Sequence, residues 1–238
     1  MNIRRLLLLI FSCSVIFSEN INYLSDREQI LIAHVQMCIV KGEKLQSNLN
    51  NEILKIDGMS SSKVRHFLNN LCSMPQTNYL EIGCWKGSTF IASMFGNNPT
   101  ISSGIAIDNW SEYGGPKVNF LDNCAKFLSA NNYTFHENDC FAIDVKSICK
   151  YPVNVYFYDG AHTELDQELA FTYYDAVFDD LFVAVVDDWN HLPVPLGTRN
   201  AFKKLEYQIL FETVLPARWN GDSENWWNGL YIAVVRKP

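Results

Sequence analysis

Asp159 closes the apolar run Val153–Tyr158 and opens Asp159-Gly160-Ala161-His162, while Asp187 and Asp188 close the run Leu181–Val186 and open Asp187-Asp188-Trp189-Asn190-His191. If the two runs are neighbouring strands, three carboxylates converge at one point. Crowded carboxylates take up protons or share a cation. Oxygen ligands of this kind suit Mg2+ or another hard divalent ion, with water completing the shell. Taken singly, Asp159 and Asp187 also fit caps at strand-to-helix turns; the pair of strand ends together favours the metal. His162 and His191 follow directly, and an imidazole that titrates near neutrality can take a proton from a hydroxyl. A loop histidine serves equally as a solvated or structural group, and Lys86 and Arg199 read as surface charges.

A second cluster lies earlier, in Glu81-Ile82-Gly83-Cys84-Trp85-Lys86-Gly87-Ser88-Thr89. Gly83 permits a sharp turn after a strand, and Gly87 permits the next helix to start close to a ligand. Ser88 and Thr89 can cap that helix or donate a hydroxyl. Lys86 precedes Gly87, so this is no Walker loop, and Trp85 occupies the middle position of a dinucleotide-type glycine motif. A plain tight turn fits the motif equally well, and its context decides. Asp108 ends the second strand, where a carboxylate can accept the ribose hydroxyls of a nucleoside cofactor. Asp139, beside Cys140, follows the third. Carboxylates along one ligand edge repel a pyrophosphate. S-adenosylmethionine, a sulfonium cation without phosphate, suits them better than NAD.

These residues need a scaffold that lines up strand ends. Short apolar runs alternate with helical segments beyond Pro75: strands over Tyr79–Ile82, Ile105–Ile107, Tyr133–His136, Val153–Tyr158 and Leu181–Val186, and helices over 87–94, 118–128, 164–174 and 199–210. Two last strands, 211–215 and 230–235, flank a Trp-rich loop. The alternation implies an α/β, Rossmann-like, mostly parallel seven-stranded sheet with helices on both faces and an antiparallel C-terminal strand. The run Leu181–Val186 has the continuous apolar character of a strand buried on both faces. Two further helices are expected ahead of the sheet, over 21–50 with a cap at Ser25-Asp26-Arg27-Glu28 and from Ser60 to before Pro75, with a break at Asn48–Asn51.

Together these motifs resemble class I S-adenosylmethionine-dependent methyltransferases. The turn matches the form E-x-G-x-x-x-G-x-S/T of catechol O-methyltransferase and its relatives through Glu81, Gly83, Gly87 and Thr89. The segments around Asp159 and Asp187 are similar to the group called methyltransferase domain 24 and to macrocin-type sugar O-methyltransferases. The resemblance covers residues 60–238. It implies that Glu81, Gly83, Gly87 and Thr89 bind the cofactor, that Asp108 binds its ribose, that Asp139 and Cys140 lie near the adenine, and that Asp159, Asp187 and Asp188 hold Mg2+ and substrate oxygens. The implied activity is metal-assisted O-methylation of a small-molecule or sugar hydroxyl, with Trp226 and Trp227 available to line a substrate face or to pack a hairpin. The macrocin-type pattern places a second carboxylate where Ala161 stands, so a base must come from His162 or His191, or the metal acts alone. Two other functions stay open: a secreted binding module that has lost catalysis, which the three carboxylates argue against, and an NAD-dependent oxidoreductase, which the missing glycine argues against.

The chain has 238 residues and a net charge of −7. Its 48% hydrophobic content excludes disorder. An acidic chain is a poor binder of nucleic acid, whose affinity comes from Lys and Arg on phosphate. Self-association stays open. No apolar run reaches the ~20 residues of a spanning helix. Arg4 and Arg5 precede an apolar stretch from Leu6 to Phe17, the pattern of a secretory signal ending near Ser18. Residues 1–18 therefore read as a targeting segment, the chain's sole link to a membrane, followed by N-terminal helices over 19–74 and a cofactor-binding domain over 75–238. The implied location is exported or membrane-targeted, or cytoplasmic if the segment is not used. Export conflicts with the cytosolic supply of S-adenosylmethionine. Of seven cysteines, six lie beyond residue 18; disulfides and buried thiols are both compatible with their spacing.

Overall fold

The computed structural model describes residues 24–97 and 100–238. The expected targeting segment over residues 1–18 lies outside them. Among the described residues, no helix is long and apolar enough to cross a membrane.

Seven strands form one sheet: β1 (Thr77–Ile82), β2 (Ile101–Asp108), β3 (Tyr133–Glu137), β4 (Val153–Tyr158), β5 (Phe178–Val186), β6 (Gln208–Leu215) and β7 (Leu230–Arg236). Their order is β3-β2-β1-β4-β5-β7-β6. The first five pair in parallel, and β7 inserts antiparallel between β5 and β6. The order reverses at β1, so the carboxyl ends of β1 and β4 flank the crevice where this architecture takes ligands. Strand periodicity divides the core into two layers. Phe182, Ala184 and Val186 pack on one face with Tyr156 and Tyr158. Val183 and Val185 face the other layer with Tyr79, Val155 and Phe157. Full burial of such side chains contributes roughly 1.5–3 kcal/mol each.

Helices α1 (Asp26–Glu43), α2 (Asn51–Leu54) and α3 (Ser62–Leu71) precede the sheet. Ser25 and Glu28 form a reciprocal capping box that starts α1. This helix is shorter than the expected span of 21–50. Asn50, in the expected break, caps the single turn of α2. Val35, Cys38, Val64, Phe67 and Leu68 share one buried cluster with Tyr79, Phe90 and Val234, so these helices complete one face of the sheet core.

Between and after the strands lie α4 (Ser88–Met94), α5 (Lys117–Phe127), α6 (Val145–Ile148), α7 (Glu164–Thr172) and α8 (Pro193–Lys204). The expected helix over 199–210 is displaced. Pro193 starts α8 in its first turn, where a missing N–H costs nothing. Glu206 then turns the chain at φ +55°, and Gln208 already belongs to β6. All six cysteines among the described residues are free thiols, four of them buried.

Candidate active site

The glycine turn is built by close approach of two strand ends. Gly83 has φ +84°, and a Cβ there would lie 1.9 Å from the Asp159 carbonyl oxygen. Only glycine lets the end of β1 meet the end of β4 in this way. Gly87, at φ +85°, is the N-cap of α4. A Cβ on Gly87 would meet Phe120 at 3.0 Å and Ile91 at 3.1 Å. The left-handed backbone and the packing of these two core side chains both call for glycine here.

Glu81 is fully buried beneath this turn. Its carboxylate accepts from Thr89 Oγ1 at 2.6 Å and from the Tyr79 hydroxyl. Burial pushes its pKa up to about 8, against those two hydroxyls. Glu81 is absent from the cleft wall, whereas Thr89 reaches it. The expected direct contact of Glu81 with a cofactor is therefore replaced by a brace between β1 and α4.

Asp108 Oδ2 accepts from the backbone N–H groups of Cys84 and Trp85, both at 2.8 Å, and Oδ1 accepts from Trp110 N–H at 2.6 Å. An ionised carboxylate offers about four acceptor positions. Three are taken, so Asp108 first fixes the glycine turn and retains room for about one further donor. Two tryptophans extend this tie: Trp110 Nε1 donates to the Trp85 carbonyl at 2.7 Å, and Trp85 Nε1 to the Tyr113 carbonyl at 3.1 Å. They staple the loop after β2 to the glycine turn, placing Asn109, Ser111, Glu112 and Tyr113 on the cleft wall. Sequence reading missed this loop, although Trp85 and Trp110 follow successive strand ends. Across it, Asp139 Oδ1 accepts from Phe141 N–H at 2.9 Å. The Cys140 carbonyl accepts from Tyr174 at 2.6 Å, and burial raises the Cys140 thiol to about 12.

The acidic centre differs in membership from the expected one. Single ligand atoms from Asp159, His162 and Asp188 lie within 4.8 Å of one another. Asp187 is outside this trio: it is buried, and its Oδ1 accepts from the Asp188 N–H at 2.9 Å. His162 takes its place, with Nε2 at 2.5 Å from Asp188 Oδ2. Burial, followed by the charges of Asp187 and Asp188, holds the Asp159 pKa well above the carboxylate range. Burial and Asp188 do the same for Asp187. The Asp188 carboxylate raises the pKa of His162 against its partial burial. His191 is exposed, 6.1 Å from His162 between ring centroids, and is not on the cleft wall.

These pieces enclose a cleft of about 490 Å³ at the carboxyl ends of the strands. Its wall includes Asp108, Glu112, Asp139, Asp159, Asp166 and Asp188, with no Lys or Arg among the described residues. Trp227 and Asn228 reach it from the Trp-rich loop. Trp226 does not: it packs edge-on against Phe67 and donates to Glu43 at 2.8 Å.

No family model matches the sequence. No curated protein matches it either. Solved structures do. A candidate caffeoyl-CoA O-methyltransferase from Staphylococcus aureus superposes with TM-score 0.53 at 14% identity, over 89% of this chain and 99% of that one. A candidate O-methyltransferase from Klebsiella pneumoniae gives 0.52 at 12% identity, over 89% and 97%. An SAH-bound methyltransferase from Podospora anserina gives 0.55 at 11% identity, over 94% and 98%. At such identities the likeness is one of fold, and the fold is the Rossmann-like α/β sheet of class I methyltransferases.

Proposed function

We propose that this chain is an S-adenosylmethionine-dependent methyltransferase that methylates a hydroxyl of a small molecule, a sugar included, with a divalent cation such as Mg2+ held by Asp159, His162 and Asp188. The observation that carries the reading is the charge of the cleft. Its wall has six carboxylates and no Lys or Arg among the described residues. A sulfonium and an amino group find carboxylate partners there, whereas a pyrophosphate finds no Lys or Arg side chain. The same charge disfavours NAD and any acceptor bearing phosphate.

Both absent groups fit the residues present. Asp108 keeps room for one ribose hydroxyl, and Asp139 and Cys140 border the same cleft. For the cation, three ligand atoms from Asp159, His162 and Asp188 already converge, a donor set of two carboxylates and one imidazole. S-adenosylmethionine supplies a methyl group on a charged sulfur, and a divalent cation supplies a Lewis acid that lowers the pKa of a hydroxyl it touches. The chain's own part is positional. Gly83 closes β1 against β4, Asp108 pins the turn, and Trp85 and Trp110 hold the loop that borders the cleft, so that reactants meet in a fixed geometry.

His162 has one free ring lone pair, so ligation and proton acceptance exclude each other. The raised pKa of His162 beside Asp188 favours a second reading, in which the imidazole takes the acceptor's proton and Asp188, lying against Nε2, stabilises the resulting imidazolium. Transfer lost on chelation selects the ligand; transfer indifferent to chelation selects the base.

Calorimetric titration with S-adenosylmethionine and with NAD, each with and without Mg2+, tests the proposal. Binding of the first alone supports it. Binding of NAD alone, or of neither, overturns it, and S-adenosylmethionine binding without transfer to any hydroxyl acceptor points to a binding module. The proposal extends to the N-terminus: residues 1–18 direct export, and the folded enzyme does not use them.

A further inference from the structure

Asn228 sits on the loop between β6 and β7, 40 residues from Asp188, yet its Nδ2 donates to Asp188 Oδ1 at 2.5 Å. The other half of the amide is also engaged, since Oδ1 accepts from Gly221 N–H at 2.7 Å, which fixes the amide's orientation. Main-chain bonds hold the two segments together: Trp189 N–H donates to the Gly229 carbonyl and Asn190 N–H to the Asn228 carbonyl, both at 3.0 Å. Gly229 lies at φ +87°, and a Cβ there would come within 2.6 Å of Asn190 Oδ1. The approach therefore requires glycine.

The loop is anchored independently of the cleft. Asp222, fully buried, accepts from the Arg218 guanidinium, from the main-chain N–H groups of Arg218 and Glu224, and from Asn225 Nδ2. Asn225 accepts from Lys63 of α3 at 3.1 Å. Asp188, by contrast, has a left-handed backbone at φ +58°, unusual for a residue with a side chain. Its carboxylate spends one oxygen on Asn228 and presents the other, Oδ2, at 2.5 Å from His162 Nε2.

We infer that Asn228 is the positioning residue that turns Asp188 Oδ2 into the space shared with Asp159 and His162, so that the β6–β7 loop sets the centre's affinity for a divalent cation. This rests on the metal reading above. Outer partners that orient a ligand typically govern about ten- to a hundredfold of metal affinity.

Mn2+ is the probe, its free concentration followed by electron paramagnetic resonance in titrations of the full chain. Asn228→Ala and Asn228→Leu are expected to lower Mn2+ affinity at least about tenfold, with a cooperative thermal unfolding transition of the metal-free chain retained. Trp219→Ala, exposed on the same loop, is expected to leave Mn2+ affinity unchanged. Wild-type affinity in both Asn228 variants overturns the inference alone. Loss of the cooperative unfolding transition along with Mn2+ binding also overturns it, because Asn228 would then hold the fold. A wild-type chain that takes up no Mn2+ removes the metal reading and this inference together.

Discussion

Replacing Glu81 by Gln separates a brace from a ligand contact. The Glu81 carboxyl is fully buried, and its pKa moves from the ordinary 4.5 to about 8. The folded state therefore binds this proton more tightly than the unfolded chain does. The stability this provides is fully present below pH 4.5, declines as pH rises, and is lost above about 8. Holding the charged form in the fold costs roughly 5 kcal/mol, an upper figure because local opening and water entry relieve it. Glutamine has the shape of the neutral acid and can still bond to Tyr79 and Thr89. Denaturant unfolding of wild type and Glu81→Gln should give similar stabilities near pH 5. The variant should gain progressively toward pH 9, by up to a few kcal/mol. Its affinity for S-adenosylmethionine should change little, because Glu81 does not reach the cleft wall. Parallel stability curves across this pH range would refute the buried-charge argument, and a collapse of cofactor affinity would refute the brace.

Asp108→Ala should weaken S-adenosylmethionine binding by about 1–3 kcal/mol in calorimetry, since it removes a charged acceptor and frees three turn amides. Gly87→Val should lower thermal stability through Phe120 and Ile91, with loss of binding following loss of fold. Mg2+ affinity should fall as pH falls, because Asp159 holds its proton more tightly than an ordinary carboxyl and that proton competes for a ligand oxygen. The raised values of Asp159 and Asp187 make the metal-free protein lose stability as pH rises, so thermal stabilisation by Mg2+ should grow with pH. Mass spectrometry of the protein from its own cell should show a start near residue 19; an intact Met1 would reject export.

The central strands β4 and β5 were legible because each carries its own apolar run, and Val153–Tyr158 coincides with β4. The displaced α8 was less legible, because Pro193 and Pro195 suggest a loop until their place in a first helical turn is known. At the site, the strand ends located Asp108, Asp159 and Asp188 well, since a strand's last residue is fixed by its pairing. What a strand end does not reveal is where the side chain points. Asp187 and Asp188 are adjacent, yet the left-handed backbone of Asp188 separates their directions. Glu81 matched a motif letter but faces inward from β1. The Asn228 contact depends on a loop closing across the sheet, which no local pattern encodes.

Under the proposed function, a wall with no Lys or Arg among the described residues also bears on turnover. Once its methyl group has left, the cofactor's sulfur is a neutral thioether. At ~8 Å and an effective dielectric of ~20, each carboxylate favours the charged sulfur over the neutral one by on the order of 2 kcal/mol before screening. On that reading, the charges that recruit the fresh cofactor also favour its exchange for the spent one. Salt narrows the difference, and inhibition by spent cofactor should sharpen as ionic strength rises.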